Sequence, residues 1–164
     1  MKVTRFFTVS AILVALAAAP VFAQTTGWTD GPVTVNINAN MPELTQLRFE
    51  EGNTTLDLVT AEAVTLGTMY ERSNNAAGYT VTLSSANSGA LLGPDSETAP
   101  YSLTYDGATV NLDGGSATLT TANARTSLNG VPRVIVVTPL VDGEADFLAA
   151  GAYEDILTFE IAGE

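Results

Sequence analysis

Apolar and polar side chains alternate along most of this chain, and this period of two constrains its fold more than any other feature. Such a period places alternate side chains on one face of a β-strand, and no window shows the 3.6-residue repeat of an amphipathic helix. Asp106 and Gly107 separate two alternating runs, residues 101–105 and 108–112. Because both central residues of a type I′ turn need a positive φ, this pair predicts a tight hairpin.

Similar runs recur between Gly-, Asn- and Asp-rich turns. Beside the hairpin, we predict strands at residues 33–39, 44–49, 54–59, 63–69, 78–83, 116–121, 131–140 and 153–161. Residues 134–137 are all aliphatic, which predicts burial on both faces of the sheet. Short strands at this spacing predict an all-β fold, a single antiparallel β-sandwich of about eight strands.

The residue types that the chain lacks exclude most catalytic chemistry. The 164 residues contain no histidine and no cysteine, and only six of them are basic. Without histidine there is no Ser-His-Asp triad, and without either residue there is no zinc site of the usual kind. A hydrolase that uses two carboxylates remains a distant alternative, because such pairs assemble in space. We therefore expect no enzyme activity, no cofactor and no metal.

The N-terminus has the organisation of an export signal. A basic start with Lys2 and Arg5 precedes the apolar residues 6–19, and Val21 and Ala23 are the small residues that cleavage requires. We predict a signal peptide at residues 1–23, an N-terminal extension at residues 24–40 and one domain at residues 41–164. No later run is long and apolar enough to span a bilayer, so we expect an exported protein.

Removal of the signal makes the chain strongly acidic. It leaves four arginines against 18 acidic residues, a net charge of −14, and no lysine. Such a surface repels phosphate backbones and anionic headgroups, so we expect no nucleic acid partner and no membrane partner.

The last 14 residues carry the most specific pattern. Gly151, Tyr153, Asp155 and Leu157 form a Gly-x-Tyr-x-Asp-x-Leu run. It resembles the ending of spore coat U-type domains, which occur in the pilins of archaic chaperone–usher pili. Leu157, Phe159 and Ile161 continue it as an apolar row at alternate positions. The penultimate residue, usually aromatic in chaperone–usher pilins, is Gly163.

The resemblance implies an immunoglobulin-like sandwich that lacks its last strand. A periplasmic chaperone would cover the open groove first, and an outer-membrane usher would then guide assembly. The N-terminal extension of the next subunit would finally replace the chaperone, a known mode of β-strand addition. Head-to-tail contacts that do not close would build a surface fimbria. The implied groove strand contains Gly151, Tyr153, Leu157, Phe159 and Ile161.

The donor would be a strand whose apolar side chains alternate. Val33, Val35, Ile37 and Ala39 satisfy this requirement. The same period equally fits a first strand within the chain's own sandwich, and the sequence leaves both possibilities open.

A self-contained extracellular sandwich that binds carbohydrate or calcium is the alternative function. Three carboxylates alternate at Asp142, Glu144 and Asp146, although Phe147 stands where an EF-hand needs glycine, which favours a solvated turn. Six aromatic residues would be candidates for a sugar-binding face: Trp28, Tyr70, Tyr79, Tyr101, Tyr105 and Tyr153. Five of the six lie on or beside predicted strands, where packing is the usual role.

Overall fold

The structure is a computed structural model that describes Trp28, residues 30–141 and residues 147–164. The predicted signal peptide and the acidic run at residues 142–146 lie outside the described residues. The chain divides into two units, Met1–Ala39 and Asn40–Glu164, and every described strand belongs to the second. No helix among the described residues is long and apolar enough to cross a membrane.

The described part of the chain forms nine strands. They are β1 (Thr45–Glu51), β2 (Val64–Ser73), β3 (Tyr79–Ser85), β4 (Ala90–Leu92), β5 (Thr98–Tyr105), β6 (Ala108–Val110), β7 (Ser116–Ala122), β8 (Val131–Pro139) and β9 (Leu157–Gly163). A short 3₁₀ turn at Pro94–Ser96 joins β4 to β5.

The strands assemble into two antiparallel sheets. The larger has the order β1-β2-β8-β5-β4, with β6 also paired to β5, and the smaller has the order β7-β3-β9. The predicted all-β antiparallel sandwich is therefore confirmed. The nine strands are close to the eight expected, and the short strand β4 is the one that the alternation did not predict.

The strand registers define two ends of the sandwich. We call the end where β1 begins and β9 finishes the entry end, because residues 40–44 lead into β1 there. Thr45 pairs with Ser73 at this end, and Tyr79 pairs with Gly163. At the far end β1 finishes and β9 begins, and Leu157 pairs there with Ser85.

The inward faces of the two sheets form the core. Tyr79, Val81 and Leu83, which the alternation placed on one face, are all buried. The other buried apolar side chains come from both sheets and their connections: Met69, Ala99, Tyr101, Leu103, Tyr105, Leu112, Ile135 and Val137. No cysteine contributes, so the sandwich depends on packing and on buried hydrogen bonds.

The predicted hairpin is confirmed. Asp106 and Gly107 have φ angles of 51° and 81°, and they connect β5 directly to β6. The expectation that residues 134–137 are buried on both faces was wrong. Val134 is 42% exposed, because the outer face of β8 is not covered there.

Two predicted strand assignments were also wrong. Residues 54–59 form no strand, because the Asp57 side chain accepts hydrogen bonds from the backbone N–H groups of Val59 and Thr60 and closes a turn. The final strand begins at Leu157 and not at Tyr153. Residues 33–39 belong to none of the described strands.

Candidate functional site

An apolar groove opens between the two sheets of the domain. Its volume is about 350 Å³, and its walls come from both sheets and from the connection between β1 and β2. The lining is mostly aliphatic or aromatic: Phe49, Thr54, Leu56, Leu66, Met69, Leu91, Tyr101, Ile135, Val137, Asp155, Leu157 and Phe159. Clefts lined in this way bind apolar side chains.

Two unpaired strand edges flank this groove. β1 pairs only with β2, and β9 pairs only with β3 among the described residues. Each edge therefore presents backbone N–H and C=O groups that another strand could pair with. The edges contact each other, with Cα atoms within 8 Å.

Three of the five residues predicted for the groove strand, Leu157, Phe159 and Ile161, lie in β9, whereas Gly151 and Tyr153 precede it. Leu157, Phe159 and Ile161 are half-buried, whereas Thr158 and Glu160 between them are exposed. The ring of Phe159 lies 6.3 Å from that of Tyr105, so this apolar row packs against the core. Leu157 and Phe159 line the groove.

Gly151 and Tyr153 dock the segment before β9 onto the turn between β4 and β5. The Tyr153 hydroxyl donates to Glu97, 2.9 Å away, and desolvation raises its pKa. The backbone N–H of Ala149 and the Tyr153 hydroxyl together lower the pKa of Glu97. Gly93 must be glycine here, since a Cβ would lie 2.2 Å from the Tyr153 ring. A Cβ at Gly151 would similarly collide with Pro94.

Asp155 is a further residue of the groove wall that the predicted site did not contain. Its carboxylate accepts hydrogen bonds from the Ser85 hydroxyl at 2.6 Å, the Tyr101 hydroxyl at 2.5 Å and the Asn87 backbone N–H at 3.0 Å. Burial, followed by the bond to Asp155, raises the pKa of Tyr101 above its usual range. The signal that could have identified Asp155 is its place in the Gly-x-Tyr-x-Asp run.

Gly163 occupies the position where the resembling family has an aromatic residue. The Glu43 carboxylate lies where a side chain at 163 would project. Glu43 therefore occupies this space at the entry end of β9.

The candidate donor residues lie in the first unit and are exposed. Val33 is 74% exposed, Val35 75% and Ile37 92%. Ala39 is also exposed, and it ends this unit.

A buried carboxylate, Glu71 of β2, joins the two sheets near the entry end. It accepts hydrogen bonds from the hydroxyls of Tyr105 at 2.6 Å, Thr120 at 2.7 Å and Tyr79 at 3.0 Å, and from the Arg133 guanidinium at 3.4 Å. Glu71 is fully buried, so no substrate reaches it. We assign it a structural role, because five strands meet at one carboxylate.

This cluster predicts a loss of stability in alkali. Burial, followed by the charge of Glu71, raises the pKa of Tyr79 from 10.0 to about 12. The stabilisation is complete below the unfolded pKa of 10.0 and is lost as the pH rises through about 12, because only the unfolded chain readily releases the proton. Denaturant titrations across this range should show the free energy of unfolding falling, and Tyr79→Phe should flatten the fall. Parallel curves for the two proteins would contradict the assignment.

The residues considered for sugar or calcium binding do not converge. Tyr79, Tyr101 and Tyr105 are buried in the core, whereas Trp28 is fully exposed in the first unit. Among the described residues no group of three or more acidic side chains could hold a metal ion. The run at residues 142–146 lies outside that part of the chain.

Comparisons with known proteins assign neither a family nor a function to this chain. No protein-family model matches the chain, and no curated protein matches it.

Proposed function

We propose that this protein is an exported structural subunit of a surface fimbria that polymerises by strand donation. The observation that carries the proposal is the apolar groove between the unpaired edges of β1 and β9. The same chain has an extension whose exposed apolar side chains alternate with the period that such a groove accepts. A filament follows when the extension of each subunit occupies the groove of its neighbour.

The extension and the groove strand match in length and period. Residues 33–39 and β9 (Leu157–Gly163) each comprise seven residues and each present apolar side chains at alternate positions. Full burial of each Val or Ile side chain would contribute about 1.5–3 kcal/mol. The groove therefore offers the extension a substantial gain in free energy.

Insertion requires β1 and β9 to separate slightly. A strand hydrogen-bonded to both edges would hold them about 10 Å apart, because neighbouring strands lie about 4.8 Å apart. The edges now approach within 8 Å. β1 is suited to this movement, since within the described part of the chain it pairs on one side only.

An extension that pairs antiparallel to β9 must come from another copy. Asn74 holds the residues before β1 at the entry end, through bonds to the backbone of Pro42 and Leu44. The chain from Ala39 to Pro42 then spans at most about 11 Å. The far end lies roughly 20 Å away along the seven residues of β1. Antiparallel pairing within the same groove is therefore out of reach.

The proposal includes partners that protect the groove. An open apolar groove with two free edges is an aggregation hazard during export. A periplasmic chaperone that lends a strand, and an outer-membrane usher, would meet this need as the resemblance implies.

Deletion of the extension tests the proposal. We expect residues 24–164 to form a ladder of oligomers in light scattering, and residues 41–164 to remain monomeric because no donor is present. The truncated protein should still bind a synthetic peptide of residues 28–40. A peptide of the same composition, with the alternation broken, serves as the control. A clean monomer of residues 24–164 that unfolds cooperatively would contradict polymerisation and favour a self-contained sandwich.

A further inference from the structure

The arginines of the domain are concentrated toward its entry end. Arg48 pairs with Glu50 at 2.6 Å, and Arg133 pairs with Asp106 at 2.5 Å and with Glu71. Arg72 and Arg125 have no ion pair with any carboxylate of the described residues, in a chain whose acidic residues greatly outnumber its basic ones.

Arg72 and Arg125 line one surface cavity of about 340 Å³. The Arg72 guanidinium donates to the Gln46 side chain and to the Leu128 carbonyl, both of which are uncharged. Arg125 is exposed and also borders the cavity that contains Met41 and Glu43. The first residues of the domain, which follow the extension, therefore lie beside an arginine that has no ion pair among the described residues.

The charged side chains of the far end are all acidic among the described residues. Asp57, Glu62, Asp95, Asp113 and Glu154 are exposed in the connections at that end. No arginine or lysine lies at the far end among the described residues. At the entry end two exposed carboxylates, Glu43 and Glu164, accompany the two arginines, so the charge there is mixed, whereas the far end is uniformly acidic.

We propose that Arg72 and Arg125 of one subunit contact the carboxylates at the far end of the next copy of the chain. The proposal rests on the function proposed above and names a second contact of the same assembly. An extension antiparallel to β9 places its Ala39 at the acceptor's far end. The roughly 11 Å allowed between Ala39 and Pro42 then brings the donor's entry end close to the acceptor's acidic end.

The opposite direction of insertion would bring arginines toward arginines and carboxylates toward carboxylates, and would leave the acidic far end without a basic partner. A strand parallel to β9 would place Ala39, and with it the donor's arginines, at the acceptor's entry end. That end already contains Arg72 and Arg125. Because complementary charges steer association and like charges oppose it, the charge distribution favours antiparallel insertion.

The test is the assembly rate of residues 24–164 at low and high salt. Arg125→Gln should slow assembly about tenfold at low salt, where screening is weak, and the difference should vanish at high salt. Thr118→Glu is the control, since it lowers the net charge equally on an exposed position of β7. Melting curves should be unchanged, because Arg125 is exposed and makes no hydrogen bond among the described residues.

Charge reversal supplies a second measurement. Arg125→Glu should slow assembly further, and the far-end pair Asp95→Arg and Glu154→Arg in the same chain should restore the rate. Equal rates for Arg125→Gln and Thr118→Glu at every salt concentration would overturn this inference while leaving strand donation intact. Loss of binding to heparin with unchanged assembly would assign the arginines to an acidic polysaccharide instead. Failure of the unsubstituted chain to assemble would overturn the proposed function, and this contact with it.

Discussion

Glu71→Ala should destabilise the domain by about 3–5 kcal/mol, the usual cost of removing one partner from a buried charged pair. Three hydroxyls, those of Tyr79, Tyr105 and Thr120, would lose their acceptor. A buried polar group without a partner costs about 1–3 kcal/mol. Denaturant unfolding followed by circular dichroism would measure the change.

Two further variants separate the effect of losing the Glu71 hydrogen bonds from the effect of losing a negative charge. Glu160→Ala removes the same charge from an exposed position of β9, and we expect a change within about 0.5 kcal/mol. Glu71→Gln should lie between the two, because the amide retains one acceptor oxygen and presents an N–H group to Arg133. Equal stabilities for Glu71→Ala and Glu160→Ala would show that the carboxylate does not join the sheets.

The sequence pattern predicted most of the strands, because strands and tight turns depend on residues that are neighbours in the chain. The Asp106–Gly107 turn depends on the φ angles of two adjacent residues, and alternation placed Tyr79 and Leu83 correctly. The incorrect strand at residues 54–59 has an equally local cause. Its alternation was outweighed by the hydrogen bonds that Asp57 accepts.

The polar contacts of the site could not be predicted in the same way. The partners of Glu71 lie on four other strands, up to 62 residues away in sequence. Asp155 likewise bonds Ser85 and Tyr101, which are distant along the chain. Only the register of the strands brings such groups together, and composition carries no information about it. The C-terminal row was predictable, because its period is visible in the sequence.

Ile37→Asp should abolish polymerisation while leaving the folded domain unchanged. Ile37 is 92% exposed in the subunit, so a carboxylate there costs the subunit nothing. In the proposed filament the same side chain would enter an apolar groove, where a carboxylate without a partner costs several kcal/mol. Since each 1.4 kcal/mol is tenfold in affinity, subunit association should weaken by about a thousandfold or more.

Asn38→Asp provides the matched control for this prediction. It introduces the same charge one residue later, but a strand directs neighbouring side chains to opposite faces. Residue 38 would thus face away from the groove, and polymerisation should persist. Light scattering of the two variants, with melting curves as the folding control, separates pocket insertion from a general effect of charge. Equal assembly of both variants would mean that the row of Val33, Val35, Ile37 and Ala39 does not enter the groove.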